Sequence, residues 1–172
     1  MSRYRPPAAR KSPYITPEGM RVLLDEQKSI WLRRREVVAA LSAAAAEGDR
    51  SENAEYIYRK KELRELDRRI RYLQKRLPDL NVVDQKPASS ERVFFGATVR
   101  LEDEAGASVS YRIVGPDEFD REEHYISVDS PLARSLLKRE LGEEVEVEVP
   151  GGRLCYLITQ INYWGVDEDY PV

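Results

Sequence analysis

Apolar and polar positions recur with a period of seven over residues 20–77 and with a period of two over residues 93–161, so the chain predicts two units of different architecture. In the first, Met20, Leu24, Gln27, Trp31, Arg34, Val38, Leu41 and Ala45 advance by alternating steps of four and three, a coiled-coil seam with polar breaks at Gln27 and Arg34. Tyr56, Arg59, Leu63, Leu66, Ile70, Leu73 and Leu77 repeat the spacing, and Pro78 supplies a stop. Thr16 as cap and Pro17 at the first helical position open the first helix. Its first turn is weakened by Gly19, and no glutamate stands where a reciprocal cap needs one. Between the seams lies Gly48-Asp49-Arg50-Ser51-Glu52-Asn53-Ala54-Glu55-Tyr56, so the two helices predict an antiparallel hairpin with its tip near 48–56. Helices of about 30 residues extend roughly 45 Å. A two-helix hairpin buries little, so such a length suits a probe or a dimerisation arm better than fold stabilisation.

In the second unit the segments 93–101, 109–114, 124–128, 145–149 and 154–161 read as strands, parted by turns at Glu104-Ala105-Gly106, Gly115-Pro116-Asp117 and Pro150-Gly151-Gly152. Ser130 and Pro131 open a short helix over 132–137. The fold class is therefore α+β: a long antiparallel α-helical coiled-coil hairpin followed by a small, mainly antiparallel β domain with one short helix. The divisions are a flexible extension at 1–13, the hairpin at 14–80, a Pro- and Ser-bearing linker at 81–92, the β domain at 93–164 and an acidic tail at 165–172.

Charge separates the two units. The 172 residues carry a formal charge of −3, but residues 1–80 hold 19 Lys and Arg against 12 Asp and Glu, and residues 81–172 hold 9 against 19. The basic half is thus the candidate for nucleic acid. On the second helix Lys60, Arg64, Arg68, Arg71 and Lys75 share one face, with Lys61 alongside. Glu65 with Arg69 and Asp67 with Arg71 have the spacing of neutralising pairs, yet nine bases against three acids over 59–76 exceed what pairing absorbs. Such a stripe attracts phosphates without sequence preference. Tyr56 and Tyr58 offer rings for a base, although Tyr56 also falls on the seam. No apolar run approaches the roughly 18 residues of a membrane span, and Met1 to Pro13 have no apolar signal core. A cytoplasmic protein without membrane contact is expected. Cys155, alone in an alternating apolar run, reads as a packing thiol, and His124 as a structural or surface residue. Neither a zinc site nor a thiol enzyme is supported.

Asp49 and Glu52 admit two readings. Their D-x-x-E spacing fits a helix capping box behind a Gly48 C-cap. The same carboxylates are hard oxygen donors for a divalent cation, but two are too few to hold magnesium alone, so a site at this tip has to be completed by a partner.

GDRSENAEY, followed by YRKKELRELDRRIRYL and later by YISVDSPLARSLL, resembles the bacterial Gre transcript cleavage factors, and among them the GreB type, from about Tyr14 to about Tyr163. The resemblance implies an FKBP-like second domain gripping RNA polymerase through Val128-Asp129-Ser130-Pro131, which meets a coiled coil of the largest subunit. FKBP likeness carries no isomerase activity with it. It implies further that the hairpin enters the secondary channel and brings Asp49 and Glu52 to the polymerase active site, with Ser51 and Asn53 shaping the tip. There the two acids help hold Mg2+ jointly with the polymerase, and the basic stripe holds the extruded 3′ end of the nascent RNA. The chain acts as a monomer that activates the polymerase's own hydrolysis and is not itself an enzyme. Its long basic run points to longer extruded fragments. The rival readings are an inhibitory Gre homologue, which the intact Asp49 and Glu52 argue against, a polymerase-binding regulator without tip chemistry, and a general RNA-binding coiled coil or dimerisation arm.

Overall fold

The computed structural model describes residues 10–46 and 53–163. The chain divides into two units: residues up to Gly19 together with those from Asn81 onward, and Met20–Leu80. The hairpin is therefore narrower than 14–80, because the entry strand and first helical turn belong with the β unit.

Within Met20–Leu80, α1 (Pro17–Ala46) and α2 (Ala54–Arg76) run antiparallel, and a single 3-10 turn at Leu77–Asp79 carries Pro78 and ends the second helix. The seam of α2 lies where the heptads put it: Tyr56, Arg59, Leu63 and Leu66 are half-buried and Ile70, Leu73 and Leu77 buried. The α1 seam differs by one residue at every other position. Leu23, Ile30, Val37 and Ala44 are buried, whereas Leu24, Trp31 and Val38 are exposed by 39%, 42% and 40%. The apolar doublets Leu23-Leu24, Ile30-Trp31 and Val37-Val38 satisfy either register, and packing selects the first member of each. Trp31 lies on the flank, where the Arg34 guanidinium sits 5.9 Å from its ring centre.

Ion pairs across the hairpin fix the antiparallel alignment. Arg69 donates Nε and Nη2 to the two oxygens of Glu26 at 2.6 and 2.7 Å, Arg34 donates to Asp67 at 2.7 Å, and Arg33 lies 2.7 Å from Glu62. Each is partly solvated and contributes about 0.2–1 kcal/mol. Their specificity is geometric, since a shifted register would break all three pairs at once.

The other unit is built on a five-stranded sheet. Its strands are β3 (Thr98–Asp103), β4 (Ser108–Val114), β5 (Tyr125–Ser127), β6 (Glu144–Val149) and β7 (Gly152–Asn162), in the order β5-β4-β3-β7-β6, and β4 with β5 is the parallel pair. The helix α3 (Pro131–Leu136) sends Ala133 and Leu136 into a core with Val99, Leu101, Ile113, Val145 and Ile158. The segment 93–101 is not one strand. Gly96, at φ 85°, turns the chain, and Val93 instead exchanges hydrogen bonds with Lys138 and Arg139 at 2.7 and 2.8 Å. A bulge at Thr159 breaks the period of two in β7, so that Ile158 and Ile161 both face inward. Two short strands, β1 (Tyr14–Ile15) and β2 (Asn81–Val82), pair in parallel, so the start of the expected linker is structured. Among the described residues no helix is long and apolar enough to cross a membrane.

The first turn of α1 is capped by a residue far away in sequence. Thr16 Oγ1 accepts from the Gly19 N–H at 3.0 Å, as an N-cap should. The glutamate missing three residues on is replaced by Glu118, 1% exposed, which accepts from Thr16 N–H at 2.9 Å, Thr16 Oγ1 at 2.5 Å and Gly115 N–H at 2.8 Å. Gly19 makes room for it, since a Cβ there would lie 1.9 Å from Glu118 Oε2. Glu118→Ala abandons two buried N–H donors and should cost about 3 kcal/mol, from roughly 1–3 kcal/mol for each. Gly19→Ala, which helix propensity alone favours by about 1 kcal/mol, should destabilise instead. Urea unfolding midpoints check both, and a stabilising Gly19→Ala would refute the cap.

Candidate nucleic-acid and partner interface

Asn53 closes the base of the hairpin tip. Its side chain accepts from Tyr56 N–H at 3.1 Å as the N-cap of α2, and its Nδ2 donates to the carbonyl of Ala44 at 3.0 Å. One amide thereby satisfies a first-turn donor of α2 and a last-turn acceptor of α1. Gly48, Asp49, Ser51 and Glu52 lie outside the described residues. The N-cap of α2 is Asn53.

From this tip the basic stripe runs along α2. Lys60, Lys61, Arg64, Arg68, Arg71 and Lys75 all lie on the outer side of the helix, away from the buried seam of Ile70 and Leu73, and the five of them that share a face span about 80° of the helix circumference. Asp67 does not neutralise Arg71, nor Glu65 Arg69: Asp67 bonds Arg34, and Arg69 bonds Glu26. Glu62 likewise faces inward, bonding Arg33 Nε at 2.8 Å and Arg59 at 3.1 Å. Burial raises the Glu62 carboxyl, but the bonds from Arg33 and Arg59 outweigh it, and its pKa lies below the ordinary carboxylate value. Two of the three acids in this stretch, Glu62 and Asp67, are thus drawn across the hairpin, while Glu65 stays exposed on α2. Among the described residues no carboxylate pairs with a stripe cation.

Aromatic rings lie at the tip end of the stripe. Tyr58 is 58% exposed, with Arg59 over its ring at 5.5 Å, while Tyr56 is half-buried with Lys60 5.6 Å from its ring centre. Tyr56 is therefore seam and Tyr58 the accessible ring. Ile57, 55% exposed, was not singled out by the heptads, and its place between the two tyrosines, off the seam, is the signal that marks it.

In the β unit Ser130 caps α3, accepting from Ala133 N–H at 3.1 Å, and Pro131 occupies the first helical turn. Asp129 turns its carboxylate to the entry strand, accepting from Ser12 N–H at 2.9 Å and Ser12 Oγ at 2.5 Å. Ser12 carries no sequence signal, since only the fold brings it to a residue 117 positions away. Cys155 is half-buried on β7 and not fully packed; burial and then Glu104 and Glu146 push its thiol pKa up, away from nucleophilic chemistry. His124 packs edge-on against Tyr125, with ring centres 5.2 Å apart.

Comparison with known proteins covers both units. The family model described as "Transcription elongation factor, N-terminal" matches residues 13–82, and "Transcription elongation factor, GreA/GreB, C-term" matches 88–163. Transcription elongation factor GreB of Xanthomonas axonopodis pv. citri is 54% identical over 165 residues, 95% of this chain and 98% of that protein. GreB of Pseudomonas aeruginosa is 55% identical over 164 residues, with the same coverage. A crystal structure of GreA factor homolog 1 (Gfh1) of Thermus thermophilus aligns over 89% of this chain and 99% of that chain, at 23% identity and a TM-score of 0.40. The sequence relatives carry the assignment. With both units matched and relatives more than half identical along nearly its whole length, the chain belongs to the GreA/GreB family of transcription elongation factors.

Proposed function

We propose that this chain stimulates bacterial RNA polymerase to cleave backtracked nascent RNA, with the hairpin entering the secondary channel and the β unit docking through Asp129, Ser130 and Pro131. The observation that carries this reading is a stripe of outward cations, none ion-paired among the described residues and with Glu62 and Asp67 held across the hairpin, on the helix that follows Asp49 and Glu52 in the sequence. A strand of RNA extruded past the active site presents a row of phosphates. Lys60, Lys61, Arg64, Arg68, Arg71 and Lys75 bind that row without regard to base identity.

Asp49 and Glu52 would hold Mg2+ together with ligands from the polymerase. Two carboxylates three residues apart are hard donors that suit this ion and leave most of its coordination shell for others. When bound, the ion would activate water and stabilise charge developing on the scissile phosphate. Ser51 and Asn53 support the two acids, Asn53 by tying the helix ends together. Hydrolysis then belongs to the polymerase, and this chain completes the site.

The test is cleavage of 3′-backtracked RNA in a purified stalled complex with magnesium. Asp49→Asn and Glu52→Gln should each bind the complex normally and slow cleavage about 100-fold or more. Normal cleavage by both variants would remove the acids from the mechanism. Slowed elongation without cleavage by the native protein would favour an inhibitory factor instead.

The stripe makes a separate prediction. Lys60→Glu with Arg64→Glu should impair cleavage of complexes with long extruded RNA more than of those with short. The salt dependence of RNA affinity should also become shallower, by about 0.7 in log–log slope for each phosphate no longer neutralised. Equal impairment on both lengths would mean that these cations serve another purpose.

A further inference from the structure

We infer that Ser12 is a positioning residue of the docking loop, holding Asp129 so that Ser130 and Pro131 are presented to the partner in a fixed conformation. The inference rests on the reading above, in which this loop meets the polymerase. Ser12 gives Asp129 two hydrogen bonds, N–H at 2.9 Å and Oγ at 2.5 Å, and the Asp129 side chain is 25% exposed. The rest of the loop is tied from within. Asp129 N–H donates to Ser127 Oγ at 3.2 Å, Ser130 N–H to the Ser127 carbonyl at 2.9 Å, and Ser130 Oγ accepts from Ala133 N–H at 3.1 Å. The Ser12 bonds differ in kind, since they reach Asp129 from outside the loop and its helix, out of the segment that leads into β1.

Preordering has an energetic consequence. A loop ordered before its partner arrives does not bear the cost of ordering on binding. An aspartate whose carboxylate is held by Ser12 meets the partner in a fixed orientation, together with Ser130 and Pro131. Ser12 is one of several ties on its segment. The segment stays fixed by β1 pairing with β2, by fully buried Ile15, and by Thr16 on Glu118.

The experiment titrates full-length factor against a backtracked polymerase complex and reads the half-saturating concentration and the maximal cleavage rate separately. Ser12→Ala should raise the half-saturating concentration about 5-fold, the effect of one side-chain hydrogen bond, with the maximal rate unchanged and the melting temperature lowered by no more than the loss of that one bond. Ser12→Thr, which restores the hydroxyl, should return it to the native value. Unchanged affinity for Ser12→Ala would overturn the inference, as would a failure of threonine to rescue. Tighter binding by Ser12→Ala would overturn it too, since the entry segment would then compete with the polymerase for Asp129. If the native protein does not bind polymerase at all, the functional reading fails and this inference with it. Native binding that is indifferent to Ser12 removes the inference alone.

Discussion

A buried carboxylate cannot be left without partners, and Glu118 determines how the chain enters its longest helix. At 1% exposure an unbonded carboxylate would be prohibitive. Three donors answer it, two from Thr16 and one from Gly115. Satisfying them forces the local sequence. Position 19 must lack a side chain to admit the carboxylate, and position 115 must lack one because a Cβ there would approach the Tyr14 carbonyl to 2.3 Å. The first turn of α1 thereby becomes part of the β unit, beside the parallel pairing of Tyr14 and Ile15 with Asn81 and Val82. Helix start, entry strand and exit strand share one anchorage.

That anchorage also marks the limit of what local patterns reveal. Thr16 and Pro17 announce the helix, and the absence of a glutamate three residues later reads as weakness. In the fold it is the condition that lets a glutamate 102 residues away take the same role. Elements governed by near neighbours were legible: the α2 seam from Tyr56 to Leu77, Ser130 as the α3 cap, most of the strands and the outward face of the basic stripe. The α1 seam was not, because its apolar doublets offer two equivalent registers and only packing against α2 selects the first member of each. Nor was the segment 93–101, where Gly96 spends a positive φ on a turn that the apolar alternation conceals.

Electrostatics links packing to function within the hairpin. Glu26, Glu62 and Asp67 have cationic neighbours on several sides, and each forms a pair spanning the two helices. Exposed pairs of this kind stabilise little individually. Their larger effect is on the outer face of α2, where the cations keep their charge uncompensated by acids of the described residues. Alignment of the hairpin and the exposed positive charge along α2 are therefore linked through Glu62 and Asp67. A sequence count of nine bases against three acids captures the excess but not where the acids go.

The tip follows the same division of labour. A loop that reverses a helical hairpin must terminate one helix and start another, and those duties usually fall on its polar residues. Here Asn53 performs both with a single amide, accepting from Tyr56 N–H and donating to the Ala44 carbonyl. Once α2 is capped in this way, a carboxylate at Asp49 or Glu52 is not required to start it. The start of α2 is thus tied to the last turn of α1 by one residue, so the alignment that the inter-helix ion pairs set along the stalk is held at its far end by the Asn53 amide.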